Sequence, residues 1–98
     1  METKEKNILT EEIDVILIDV KKELISANEK NEPFNSSHEG YAVLKEEVDE
    51  LWEAIKHGYK RKQEKIWNDK SAMTAHKKDI KAEAIQVAAM AVKLIQAL

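Results

Sequence analysis

The sequence predicts an all-α fold, with three long helices and one short helix in a single domain whose bundle is completed by oligomerisation. Glycine and proline, which disfavour helix interiors, number only two and one in 98 residues. Apolar residues recur at steps of three and four, as on one face of a helix. The last predicted helix is apolar almost all round, so a single chain has too few other helices to cover it.

The first helix is predicted over residues 10–30. Thr10 is a suitable N-cap, and Glu11 and Glu12 follow where the helix dipole favours negative charge. Pro33 requires the helix to end before it, because the residue preceding proline is pushed out of the helical region. The predicted apolar face consists of Ile13, Ile16, Leu17, Val20, Leu24 and Ala27.

The second helix is predicted over residues 37–57. Ser36 and Glu39 have the spacing of a capping box, in which each side chain bonds the other residue's backbone N–H. Gly58 suits the left-handed position that follows a helix. The apolar stripe consists of Val43, Leu44, Val48, Leu51 and Ile55.

The third long helix is predicted over residues 72–97, after a basic connection at 59–71. A short helix is expected around residues 61–68, and a solvated loop is a commoner use of such basic clusters than phosphate binding. From Ala82 onward almost every residue is Ala, Val, Ile, Leu or Met. We therefore expect a homodimer or higher homo-oligomer whose interface includes this helix.

Charge and composition exclude several classes of protein. The net charge of −3 gives no general attraction to nucleic acid or to an anionic membrane. Cysteine is absent, which excludes disulfides and thiolate metal sites. The polar N-terminus METKEKN does not resemble a signal peptide, and the longest apolar run is too short to span a bilayer. These features predict a cytoplasmic protein with no nucleic-acid or membrane partner.

Acidic residues crowd the edge of the apolar stripe on the second helix. On a helical wheel centred on Leu44, Glu47 lies about 60° to one side, Glu50 about 120° and Glu46 about 160°. Glu47 and Glu50 are three residues apart, so their carboxylates share one surface and repel each other. A divalent cation would relieve this repulsion, because Mg²⁺ prefers hard oxygen ligands.

The last helix carries a single polar line, formed by Asp79, Glu83 and Gln86 and continued by Lys93. If this line faces the acids of the second helix, the two helices form one metal site, as in many helical bundles. The alternative, a solvated acidic face, is the commoner outcome for such spacing. The three histidines favour surface or capping positions over metal ligation: His38, His57 and His76.

The stretches HEGYAVLKEEVDELWEAIK and KAEAIQVAAMAVKLI resemble the MazG-like all-α nucleotide pyrophosphohydrolases over residues 36–95. In that family an EExxE motif and a later ExxD motif bind Mg²⁺ for hydrolysis of a nucleoside triphosphate to the monophosphate and pyrophosphate. EExxE is matched in full by Glu46, Glu47 and Glu50. ExxD is matched at Glu83, but Gln86 stands where the family has aspartate.

The resemblance implies Mg²⁺ ligation by Glu47, Glu50, Glu83 and Gln86. It implies that Glu46 is a catalytic residue that orients the attacking water or adds a ligand, and Lys45 or Lys56 is expected to contact phosphate. The alternative is a non-catalytic helical assembly protein or nucleotide-binding protein on the same scaffold. Gln86 favours that alternative, because its carboxamide brings no charge to a metal.

Overall fold

The computed structural model describes the backbone of residues 2–63 and 70–98, and side chains within 8–57 and 73–98. Its elements are α1 (Glu2–Lys30), α2 (Ser37–Gln63) and α3 (Lys70–Gln96). The described residues include no β-strand, which confirms the all-α prediction. None of these helices, where described, is both long enough and apolar enough to cross a membrane.

Helix α1 begins earlier than predicted. It starts at Glu2, so the expected N-cap Thr10 lies inside the helix and that prediction was wrong. Residues 2–9 contain no glycine or proline and are rich in glutamate and lysine. Such residues lose little rotamer freedom in a helix, so nothing local stops helix formation before Thr10.

Helix α2 begins as predicted but continues further. The backbone N–H of Glu39 donates to Ser36 Oγ at 3.1 Å, which is half of the expected capping box. The Glu39 carboxylate instead accepts a hydrogen bond from Asn35 Nδ2 at 3.1 Å. The prediction that Gly58 ends the helix was wrong, because α2 extends to Gln63. Glycine inside a helix costs only about 1 kcal/mol, so it does not force an end.

The short helix expected around residues 61–68 is only partly within the described residues. Residues 61–63 form the last turn of α2, and 64–69 lie outside the described part of the chain. Helix α3 starts two residues before the predicted position and ends one residue before it.

Helix α3 is the common partner of the other two helices. It packs against both α1 and α2, whereas α1 and α2 have no Cα atoms within 8 Å of each other in the described chain. Val20 from α1 and Ala89 and Met90 from α3 form the buried core. Partly buried side chains surround them: Leu24, Ala27, Phe34, Val43, Leu44, Ile85 and Ala88. The predicted apolar character of α3 therefore accounts for its central position.

The two halves of α1 have different surroundings. Its C-terminal half supplies Val20 to the core, with Leu24 and Ala27 packed against it. Residues 8–18 are all exposed, including Leu17 at 56%. The predicted apolar face is thus covered over only part of its length.

Gly40 of α2 is buried against Leu94 of α3 and the loop residue Phe34. A Cβ atom at this position would stand 2.6 Å from Leu94 Cδ1 and 3.0 Å from Phe34 Cδ2. Both distances are shorter than ordinary carbon–carbon contacts, which lie near 3.5–4.0 Å. The absence of a side chain at Gly40 therefore sets how closely the two helices approach.

We expect Gly40→Val to lower the free energy of unfolding by about 1–3 kcal/mol, the usual effect of overpacking a fitted contact. The measurement is chemical denaturation followed by circular dichroism. Ala42→Val is the matched control, because Ala42 is exposed on the same helix and tests only the helix propensity of valine. Equal stability of the two variants would contradict this account of Gly40.

Candidate metal centre

Helices α2 and α3 bring three glutamates together. Glu47 and Glu50 on α2 and Glu83 on α3 each offer a carboxylate oxygen, and these three oxygens all lie within 4.8 Å of one another. Glu47 and Glu50 are adjacent on one face of α2 because they are three residues apart. The polar line of α3 thus faces the acids of α2, the arrangement that the sequence left conditional, and this cluster can hold a metal ion.

The cluster is partly buried, and two of its oxygens lack a hydrogen-bond partner. The Oε2 atoms of Glu47 and Glu83 are inaccessible to solvent and accept no hydrogen bond within the described residues. Glu50 is exposed at the edge of the cluster. Carboxylate oxygens that have lost water and gained no donor are costly, and a cation or a proton would compensate them.

Without a metal, a bound proton can offset the cost of burying these carboxylate oxygens. Burial, followed by the negative charge of Glu50, raises the pKa of Glu47 to about 7. Burial also raises the pKa of Glu83, and Glu50 and Asp79 add to this through their charge. The cluster therefore retains a proton at a pH where isolated glutamates have lost theirs.

Two cavities adjoin the cluster. The first, called here the Phe34 cavity, measures about 460 Å³ and is lined by Phe34, Glu47 and Gln86 among others. The second, called the histidine cavity, measures about 570 Å³ and is lined by Glu50 and Glu83, with residues of both helices around them: Asp49, Glu53, Ala54, His57, His76, Asp79 and Ala82. Ligands can therefore approach the cluster from either side.

Gln86 lines the Phe34 cavity together with Glu47, so the residue that replaces the expected aspartate does face this region. Asp79 lies on the other side, in the histidine cavity. The three-oxygen cluster does not include it. Glu46 is exposed on α2 and lines neither cavity.

The two lysines expected to contact phosphate lie on the outer surface of α2. Lys45 Nζ is 3.7 Å from Asp49 Oδ2, and both side chains are more than half exposed. Lys56 Nζ is 2.8 Å from Glu53 Oε1 and lies over the Trp52 ring, 5.8 Å from its centroid. Neither lysine lines the two cavities beside the cluster.

Two lysines line the Phe34 cavity, Lys30 of α1 and Lys93 of α3; Lys30 is exposed, whereas Lys93 is only 4% exposed. Sequence reasoning placed Lys93 on the polar line of this helix and gave it no role. Lys93 is seven residues after Gln86, so both lie on one face of the helix. This spacing was the sequence feature that could have indicated a role for Lys93 beside Gln86. The burial that distinguishes it arises from Phe34, whose ring centroid is 4.7 Å from Lys93 Nζ.

No protein-family model, curated protein or solved structure matches this chain.

We expect the stability of the metal-free protein to fall as pH rises from about 4.5 to about 7. Glu47 has a higher pKa in the folded chain than its ordinary value of 4.5, so the folded state holds the extra proton throughout this interval. Stability therefore decreases wherever the folded state binds more protons than the unfolded state. Thermal unfolding across this pH range, with a chelator present, measures the effect.

Glu47→Gln should make this decline shallower, because glutamine does not titrate. The control is Glu29→Gln, which removes the same charge from an exposed position on α1 and should leave the decline unchanged. An identical pH dependence in native and Glu47→Gln protein would contradict the protonated state of Glu47.

Proposed function

We propose that this chain is a Mg²⁺-dependent nucleoside triphosphate pyrophosphohydrolase, which produces the monophosphate and pyrophosphate. The observation that carries the proposal is the cluster of three glutamate oxygens within 4.8 Å, contributed by two helices. Its members belong to the two motifs that resemble the MazG-like family. Two of them have buried oxygens without a protein partner, as expected of groups arranged for a cation.

The proposed ligands are Glu47, Glu50 and Glu83, together with a neutral oxygen from Gln86, which lines the same cavity as Glu47. An all-oxygen set of this kind suits Mg²⁺, which commonly keeps several waters and binds through a few carboxylates plus substrate phosphates. When bound, the metal lowers the pKa of water and neutralises charge on the phosphates. Glu46 precedes Glu47 in the chain and keeps its proposed water-orienting role, although it is exposed and lines neither cavity.

A second reading keeps the scaffold without the hydrolysis, as a helical assembly protein or a nucleotide-binding protein. Gln86 favours it, because this position lacks the charge that aspartate would bring. Hydrolysis and nucleotide binding alone predict different experimental outcomes, because a nucleotide-binding protein binds Mg²⁺ and nucleotide without releasing pyrophosphate. A purely helical assembly protein binds neither.

The proposal includes a homodimer or higher homo-oligomer, with the exposed half of α1 as part of the interface. The accessible surface is 7939 Å², whereas a compact monomer of 11.2 kDa has about 5,700 Å². The excess of about 2,200 Å² exceeds the roughly 800 Å² that each partner buries in a standard interface. The apolar side chains exposed on α1 are Ile8, Leu9, Ile13, Val15, Ile16, Leu17, Ile18 and Ile25.

A second copy of the chain is the occupant that we propose for this surface. Residues 8–20 carry four acids and no basic residue, while the first half of α3 carries exposed Lys77, Lys78 and Lys81. Lys81 already lies 4.0 Å from Asp19 within one chain, so the two segments are complementary in charge. Exposed Val92 and Ile95 add apolar surface near the end of α3. The interface is thereby expected to involve α1 as well as α3.

We expect Mg²⁺ to raise the thermal unfolding midpoint at about pH 8, where Glu47 is ionised. Binding at a hundred times the dissociation constant adds about 2.7 kcal/mol to the free energy of unfolding. Glu50→Gln should abolish this stabilisation and raise the stability of the metal-free protein, because it removes a repelling charge. Gln86→Asp should tighten Mg²⁺ binding by adding an acidic ligand. Differential scanning fluorimetry and calorimetry measure both quantities.

Hydrolysis is tested on the same variants by following pyrophosphate and monophosphate release from the common nucleoside triphosphates. Native protein should release both products with Mg²⁺, Glu50→Gln should lose the activity, and Glu29→Gln should retain it. Mg²⁺ and nucleotide binding without product would favour the nucleotide-binding reading. The absence of any Mg²⁺ stabilisation would leave only the helical assembly reading.

We expect the native chain to sediment at micromolar concentration as a species of at least twice 11.2 kDa. Leu17→Asp and Ile95→Asp should each weaken association roughly tenfold or more, because an unpaired charge would be buried. Asn28→Asp is the control, since Asn28 is exposed on α1 and polar already. A compact native monomer, or equal association of all three variants, would contradict the proposed interface.

A further inference from the structure

Lys93 combines burial with a lack of acidic partners. Its side chain is 4% exposed, and its ammonium lies 4.7 Å from the centroid of the Phe34 ring. In the described part of the chain no carboxylate lies within salt-bridge distance of Lys93 Nζ. A ring face attracts the charge but accepts few of the three N–H donors of an ammonium. Lys93 Nζ is not one of the solvent-inaccessible polar atoms without a partner, so the ammonium reaches open space where a ligand can accept its hydrogen bonds.

The Phe34 cavity is where such a ligand would lie. Lys93, Gln86 and Glu47 all line this cavity, so it joins the Lys93 ammonium to the carboxylate cluster. The cavity is also lined by Lys30 and by three acids: Glu23, Glu32 and Glu39. An oxyanion there therefore depends on the two lysines and on a cation at Glu47 to offset these carboxylates. Gln86 and Lys93 are seven residues apart on α3, which places them on one face about two turns from each other. The Lys93 ammonium lies over the ring of Phe34, which also lines this cavity.

We propose that Lys93 binds a phosphate-type oxyanion of a ligand that occupies the Phe34 cavity and is held at its other end by a cation bound to the carboxylate cluster. This inference rests on the proposed function and assigns it a phosphate-binding residue in place of Lys45 and Lys56. An oxyanion supplies acceptors to the unfilled N–H donors and forms charge-assisted hydrogen bonds, the strongest kind available to lysine. A cation at Glu47 would attract the same ligand.

The test is calorimetric titration of inorganic pyrophosphate into native protein, Lys93→Met and Lys45→Met, with Mg²⁺ and separately with a chelator. Lys93→Met should weaken pyrophosphate binding about tenfold or more, whereas Lys45→Met, which removes the same charge from the outer surface, should leave it unchanged. Mg²⁺ binding measured alone should be the same in both variants. Lys93→Gln, a polar replacement, should show the same loss as Lys93→Met.

Folding is checked by circular dichroism, and methionine in place of a buried lysine side chain should keep or raise the unfolding midpoint. Equal pyrophosphate affinities of Lys93→Met and Lys45→Met, or no binding to native protein, would overturn the role of Lys93. Malonate, a dicarboxylate, is titrated into the same proteins for comparison. If Lys93→Met lost affinity for malonate but not for pyrophosphate, the assignment of Lys93 to phosphate would be overturned. Failure of native protein to bind Mg²⁺ would overturn the proposed function alone. The titrations with chelator would still compare the pyrophosphate affinities of Lys93→Met and Lys45→Met, and so would still test Lys93.

Discussion

The close approach of α2 to α3 at Gly40 is the constraint on which the rest of the structure depends. Gly40 faces Leu94, and the carboxylate cluster joins Glu50 to Glu83 further along the same pair of helices. The residue numbers in these two pairs add to 134 and 133, as expected when two antiparallel helices keep one register. A side chain at Gly40 would change the spacing at one end of this pair. The carboxylate distances would then change at the other.

The same helix pair combines opposite requirements. Apolar packing around Ala89 and Met90 draws α2 and α3 together, whereas like charges on Glu47, Glu50 and Glu83 oppose their approach. Burial raises the pKa of Glu47, and the charges of Glu50 and Glu83 raise it further, so a proton taken up by the cluster reduces both costs. Natural proteins keep such conflicts mainly at functional sites. For this reason the cluster carries the functional proposal, while the core around it explains only stability.

Sequence reasoning predicted the parts of the structure that follow from local pattern. The capping interaction at Ser36 and the shared face of Glu47 and Glu50 both follow from helical spacing. Their meeting with Glu83 was expected only if the polar line of the last helix faced them. The predicted start of α1 and the predicted end of α2 were wrong, because Thr10 and Gly58 are weak boundary signals among strong helix formers. The burial of Lys93 was beyond prediction, because it depends on where the loop residue Phe34 packs in three dimensions. Likewise, no periodicity shows which half of an apolar face remains uncovered.

The uncovered half of α1 has a consequence for how the protein behaves on dilution. Residues 8–18 make up about three turns of helix, and an isolated helix of that length is marginal in water. The helical structure of these residues therefore depends on contacts that cover their apolar side chains, in addition to the helix propensity of the segment itself. Under the proposed dimer that cover is another copy, and the unfolding midpoint becomes a function of protein concentration. Amide exchange in this half of α1 would then quicken on dilution, while exchange around Ala89 would be held by the core of each single chain.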